Sequence, residues 1–377
     1  MGKSRFIAMC LALFAAFLLL APPMLLAQGG KDTSFRDGFV ANCAPCHGAT
    51  PKYPVLGARL AYDTSGHKNN GNSYYANGGG CQICHTNEGF IDYVKTGTVD
   101  PKAFVANPSQ QGCFTCHTSH ESWDFSLRTT KPVKLPTGVT YDLGKSNLCA
   151  MCHQVRGKAQ ETVKGQIGKD VPPPWGAHHG PQADVMMGTN AWEYPGKTYS
   201  NSQHGKVVAD GCVTCHMSLP AGRYSFAPRL GGHSFHVVGE VHEEPKANTS
   251  GCVSCHKDLK LVAGTELFDI PAKADYDGDG KVEALQVEVK GVLEKFVNTQ
   301  GTGVLQKTDP PMYAKDGKWA PSKGAKWTEQ QIAALYNYKL FLEDRSNGVH
   351  NANYTIQVLY DSLKSLDPGF NESLRPK

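Results

Sequence analysis

After its first 27 residues the chain has no apolar run long enough to span a bilayer, which excludes a polytopic membrane protein. It also has no unpaired cysteine beyond that point. Of 13 Cys, Cys10 falls in the opening segment and the other twelve form Cys-x-x-Cys pairs. Apolar residues are scarce at 40%, against 40 Gly and 23 Pro, so a conventional side-chain core is not expected to fill the whole interior. Net charge is nearly absent too: without Lys3 and Arg5, 36 basic residues face 34 acidic ones, and a nucleic-acid partner has no support.

The opening segment gives the address. Lys3 and Arg5 precede an apolar run from Phe6 to Leu20, and Pro22-Pro23 break it before Ala27-Gln28. This predicts a secretory signal peptide over 1–27, the alternative being an uncleaved anchor. Cys10 follows Met9 rather than a small residue, which argues against a lipoprotein. The expected location is the periplasm, or export to the outer membrane or extracellular surface.

Paired cysteines in an exported protein ordinarily read as a disulfide framework. Here every pair is followed at once by His: Cys43-Ala-Pro-Cys46-His47, Cys81-Gln-Ile-Cys84-His85, Cys113-Phe-Thr-Cys116-His117, Cys149-Ala-Met-Cys152-His153, Cys212-Val-Thr-Cys215-His216 and Cys252-Val-Ser-Cys255-His256. On one helical turn, two such Cys can form thioethers to the two vinyl edges of a porphyrin, and the next residue sets an imidazole under the iron. A zinc ribbon would use Cys in fours, and a thioredoxin-like enzyme would need one site in a βαβ setting. Six repeats with no Cys left over predict six haems c, with His47, His85, His117, His153, His216 and His256 as proximal ligands.

Covalent haems also account for the composition, because each is a large apolar disc that cross-links distant segments. The expected fold is mainly α with long loops, a multihaem cytochrome c fold organised around its haems. A hexahaem domain over 28–256 precedes a haem-free helical region over 257–377 that packs on the haem core.

Function turns on the second axial ligand, since an iron between two imidazoles passes electrons but offers no position to a substrate. Nine further His remain. His120 lies one helical turn after His117 and points toward a neighbouring haem. His67 and His204 lie in polar loops shortly before Cys pairs, and His233 follows Gly231-Gly232, where backbone can approach closely. Of the adjacent His178 and His179, one is expected to ligate, His178 being preferred. His236 and His242, in an acidic stretch, read as surface residues, and His350 is an outlier far beyond the last motif. The distal set is His67, His120, His178, His204, His233 and His350.

Two segments carry a resemblance. Ser202-Gln-His204-Gly, Cys212 to Met217, Gly232-His233-Ser-Phe235 and Cys252 to His256 form one; Arg345 to Tyr354, around His350-Asn351, forms the other. They resemble multihaem cytochromes related to the ammonia-forming nitrite reductases and the octahaem nitrite/tetrathionate reductases. The resemblance implies distal roles for His204, His233 and His350, and long C-terminal helices that form a dimer face. Those nitrite reductases mark the catalytic haem by Lys in place of the motif His, and every motif here ends in His.

In the C-terminal region Asp275, Asp277 and Asp279, with Gly280 at the sixth position, resemble the start of an EF-hand calcium loop, although Gln286 stands at position 12. Glu283 or Glu288 is expected to complete a calcium site, Glu283 being the first choice. Helices are predicted over Glu283 to Phe296, Thr328 to Asp344 and Asn353 to Leu366, the second opening on a Thr328/Gln331 capping box. Trp319 and Trp327, flanking a Lys-rich loop, read as a surface hinge.

Together these features predict an electron-transfer protein with redox-protein partners, such as a quinol-oxidising cytochrome or a terminal reductase. The rival readings are a reductase of nitrite, hydroxylamine or a sulfur oxyanion at a haem with an open position, and a subunit of an extracellular haem wire.

Overall fold

The structure, a computed structural model, describes residues 55–69, 73, 77–122, 125–172, 175–222, 227–322 and 324–377. The signal segment and the first motif, Cys43 to His47, lie outside these residues, as does the side chain of His120. Motifs two to six and the haem-free C-terminal region fall in one compact unit, Pro54–Lys377.

The unit is mostly helix and loop with little sheet. Among the described residues four helices reach ten residues or more: α1 (Asn87–Thr96), α2 (Leu285–Glu294), α3 (Glu329–Asp344) and α4 (Ala352–Leu366). The attachment motifs use far shorter pieces. Gln82–His85, Cys113–Cys116, Asn147–Ala150 and Gly211–His216 are single turns, and the sixth motif is a run of turns. Isolated turns of this length are not self-sustaining in water, so what they attach must hold them. Two antiparallel ladders complete the unit, β1 (Val133–Lys134) with β2 (Thr140–Tyr141) and β3 (Val238–Val241) with β4 (Glu244–Ala247). The second closes through His242 and Glu243, both at positive φ, as a two-residue hairpin requires.

The side-chain core lies mainly among the C-terminal helices. Ile332, Leu335, Tyr336 and Leu340 of α3 pack in one cluster with Tyr354, Val358, Leu359 and Leu363 of α4 and Val289, Val292 and Leu293 of α2. Truncating one such Leu to Ala costs about 2–5 kcal/mol. The cluster also takes in Val155, Ala159, Val163, Val185 and Trp192, so it runs across the 256/257 boundary and joins the haem-bearing part to the rest. Asn337 makes that join specific: its Oδ1 accepts from Trp192 N at 2.7 Å and its Nδ2 donates to Trp192 O at 3.0 Å.

The Thr328/Gln331 capping box opens α3 as expected, with Thr328 N–H donating to Gln331 Oε1 at 2.9 Å and Gln331 N–H to Thr328 Oγ1 at 3.3 Å. The hinge reading of the tryptophans is corrected. Trp327 is 2% exposed and donates from Nε1 to Pro310 O at 2.8 Å, while Trp319 packs on the core with the Lys339 ammonium 4.6 Å from its ring. The Lys-rich composition between them reports the solvent side of the loop and not the burial of its ends. Between α3 and α4 the chain reverses through Arg345 and Asn347, both left-handed, and Asn351 Oδ1 then accepts from Tyr354 N–H at the start of α4. This bend returns His350 to the end of α3.

Candidate functional site

Each attachment histidine among the described residues faces one other histidine. The ring centres of His85 and His178 are 6.1 Å apart, His117 and His233 6.1 Å, His153 and His67 6.0 Å, His216 and His350 6.4 Å, and His256 and His204 6.1 Å. Two imidazoles sharing one metal through bonds of about 2 Å, with each ring centre roughly 1 Å behind its nitrogen, have centres about 6 Å apart. The donor set and its spacing therefore fit a six-coordinate haem iron at all five sites.

The orientation of the rings fits as well. Nδ1 of His117, His178, His204 and His216 meets the backbone carbonyls of Phe125 (2.9 Å), His179 (3.0 Å), Val349 (2.6 Å) and Phe235 (2.9 Å). His153 Nδ1 meets Gln182 Oε1 at 3.0 Å, and His350 Nδ1 meets Asp344 Oδ1 at 2.7 Å. With Nδ1 committed to an oxygen, Nε2 remains for a metal, the usual arrangement for ligating imidazoles. His179, in contrast, turns its Nδ1 to Glu343 Oε2 at 2.8 Å.

Ligation also needs neutral imidazole. Burial, with the adjacent His153 adding to it, brings His67 down to about 4. Burial likewise lowers His85, His178, His216 and His233. At His350 burial pulls the same way, but the charge and hydrogen bond of Asp344 outweigh it and the net direction is up.

The motifs are themselves in contact. Cys84 and Cys152, Cys149 and Cys212, and Cys215 and Cys252 lie close enough to perturb one another. Backbone packing enforces this closeness. Val213 N–H donates to Ser146 Oγ at 3.0 Å, joining the fifth motif to the fourth. Gly251, just before the sixth, lies so near the fifth that a Cβ there would sit 2.0 Å from Thr214 O. Phe235 bridges three sites: its ring is 4.7 Å from His67 and 6.3 Å from His233, and its carbonyl takes His216 Nδ1. It does so at φ 61°, a strained conformation for a bulky residue.

In the acidic loop, the carboxylates of Asp275, Asp277 and Glu288 converge, with ligand atoms within 4.8 Å of one another. Asp279 and Glu283 stand outside this group. Asp279 Oδ1 accepts from Lys281 N–H, and Glu283 contributes its backbone N–H to Glu288 Oε1 at 2.7 Å. Gln286 faces away, donating to Ser346 O at 2.9 Å. The crowding raises Asp277, through burial and through the charges of Glu288 and Asp279.

Sequence reasoning gave no role to Gln182, Phe235 or Asp344, none of which belongs to an attachment motif. For Asp344 the one usable signal is its position six residues before His350.

No protein-family model matches the chain. It is similar to two curated proteins of Geobacter sulfurreducens: the C-type polyheme cytochrome OmcC, 22% identical over 350 residues, covering 78% of this chain and 43% of that protein, and the C-type polyheme cytochrome OmcB, 22% identical over 343 residues, covering 77% and 44%. The chain thus spans less than half the length of the curated relatives it matches. Among solved structures, the outer cell wall cytochrome OcwA aligns over 82% of this chain and 50% of its own, at 20% identity and TM-score 0.47. The undecaheme cytochrome from the S-layer of Carboxydothermus ferrireducens aligns over 84% and 40%, at 18% identity and TM-score 0.39. The attachment turns and facing imidazoles fit covalently held haem, and the curated relatives that the chain resembles are multihaem c-type cytochromes.

Proposed function

We propose that the chain carries six haems c and transfers electrons along them, each iron held between two imidazoles. The observation that carries this reading is the set of five facing histidine pairs. Bound haem supplies reversible one-electron exchange at iron. The chain supplies the thioether cysteines, both axial nitrogens and the oxygens that orient them, and it leaves no axial position to a substrate at these five sites. In this reading His178 serves the second motif, His233 the third, His67 the fourth, His350 the fifth and His204 the sixth. His120 and the first motif, with His47, lie outside the described side chains, and His179 pairs with Glu343.

The contacting cysteines suggest a route. As thioethers, the same sulfurs mark porphyrin edges, so electrons pass from the second site to the fourth, fifth and sixth, with the third joined at Phe235. The carboxylates of Asp275, Asp277 and Glu288 are the calcium ligands in this reading. Redox proteins on either side, a quinol-oxidising cytochrome or a terminal reductase, are the partners. Association of copies through α3 and α4 has only their outer face to use, where Leu342 is exposed. The signal segment and the absence, among the described residues, of a helix able to cross a membrane suit export to the periplasm or cell surface.

Kinship with the nitrite reductases is kept on the segments around His204, His233 and His350, all three of them facing residues. Electron paramagnetic resonance of the oxidised protein tests the assignment. Six low-spin signals unaffected by nitrite or hydroxylamine are expected; a high-spin haem perturbed by either compound would replace the carrier by a reductase.

A further inference from the structure

Six of the ten facing imidazoles have an Nδ1 contact to a protein oxygen among the described residues. Five of those oxygens are neutral, four backbone carbonyls and the Gln182 amide. The sixth is a carboxylate. Asp344 Oδ1 lies 2.7 Å from His350 Nδ1, and Asp344 is 3% exposed. Its other oxygen accepts from Ser346 Oγ, and among the described residues its ion-pair partner is His350 alone. Asp344 ends α3, where the helix dipole disfavours a negative charge. Its placement therefore works against the helix and in favour of the imidazole.

The bend after α3 serves the same contact. Arg345 and Asn347 take left-handed φ of 60° and 46°, and His350 N–H donates to Ser346 Oγ at 3.3 Å. A carboxylate on Nδ1–H draws the proton, makes Nε2 a stronger donor and adds negative charge near the iron. Both effects favour ferric over ferrous iron.

Resting on the bis-histidine reading above, we propose that Asp344 is a positioning residue that acts through His350 to lower the reduction potential of the fifth haem, below what a neutral acceptor would give. Each transfer moves one electron from a neighbouring ferrous site, which becomes ferric, to this one. The fifth motif meets the fourth where Val213 N–H donates to Ser146 Oγ at 3.0 Å, and the sixth where Gly251 packs against Thr214 O. The low-potential step thus falls inside the route and sets its thermodynamic barrier.

The test is spectroelectrochemical titration of the full haem-loaded protein and two variants. Asp344→Asn keeps shape and removes charge; it raises one component by about tenfold in the ferrous-to-ferric ratio at fixed potential, about 59 mV for one electron. Ser346→Ala frees Oδ2, strengthens the pull on Nδ1–H and shifts the same component downward. That component is the one His350→Ala turns high-spin. The opposite signs separate tuning from loosened packing, which would move both variants the same way. Should Asp344→Asn fail to load haem, Ser346→Ala decides alone: a downward shift supports the proposal, and none overturns it. If neither variant moves any potential while every haem stays low-spin, the role of Asp344 is refuted and the bis-histidine reading stands. A high-spin haem in the unaltered protein, converted to low-spin by added imidazole, overturns that reading instead.

Discussion

Replacing His67 by Ala tests the imidazole pairing most directly. His67 faces His153 at 6.0 Å, and its ring also packs edge-on against Phe235. The change removes a whole five-membered ring and leaves a space of roughly two water molecules, whose share of liquid volume is about 30 Å³ each. Among the described residues each remaining histidine of the five pairs faces another motif, so water enters the vacated axial position. One haem becomes high-spin while the others keep both nitrogens. The assay is electron paramagnetic resonance of the oxidised variant with carbon monoxide titration of the reduced form. One equivalent of carbon monoxide per chain is expected for the variant and none for the parent. The reasoning is refuted if the low-spin count is unchanged, or if two or more haems convert in a variant with full haem load.

Other outcomes follow from the same geometry. Gln182→Leu removes the amide that takes His153 Nδ1 and also donates to Glu343 O at 3.1 Å. It should raise the potential of the same haem that His67→Ala turns high-spin, and by less than Asp344→Asn does at its own haem, because a neutral acceptor polarises the ring less. Glu288 is 0% exposed and accepts from the backbone N–H of Tyr276 (2.7 Å), Asp277 (3.1 Å) and Glu283 (2.7 Å). In Glu288→Gln the new amide N–H faces at least one of these donors, so urea unfolding should show a loss of about 2–4 kcal/mol, and less than about 1 kcal/mol would contradict the arrangement. The raised Asp277 makes the folded chain hold that proton more tightly than the unfolded one. In chelator, the stability of the parent relative to Asp277→Asn should therefore fall as pH rises from about 4 toward 7, and calcium should cancel or reverse that fall near neutrality. An identical pH trend with and without calcium would remove the cation from the loop.

The attachment sites were legible because covalent haem binding needs five contiguous residues, so geometry is written locally. Histidines supplying the second nitrogen carry no such local signature. Counting spare His named six candidates, of which five face motif histidines and His120 lies outside the described side chains, but which ring meets which motif depends on contacts such as His117 with His233 that no local pattern encodes. The acidic loop shows a different shortfall. The EF-hand spacing pointed to Glu283, whereas the buried carboxylate is Glu288, one helical turn into α2, because α2 starts at Leu285 and turns Glu288 back over the loop. The helices were legible from apolar spacing, while the depth of Trp327 was not, since Lys neighbours say nothing about the face an indole presents.

In every facing pair the two histidines lie more than 50 residues apart along the chain. Such bonds close long loops, and closing a loop of that length costs chain entropy that coordination must supply. His178, His233 and His350 all follow the motifs they face, and His350 arrives last, on the bend before α4. As the chain is made, the second and third motifs therefore emerge as open chain, accessible for thioether formation, before the histidines that face them exist. Without haem the C-terminal helices keep their own apolar cluster, whereas the single-turn motifs have only each other to close upon.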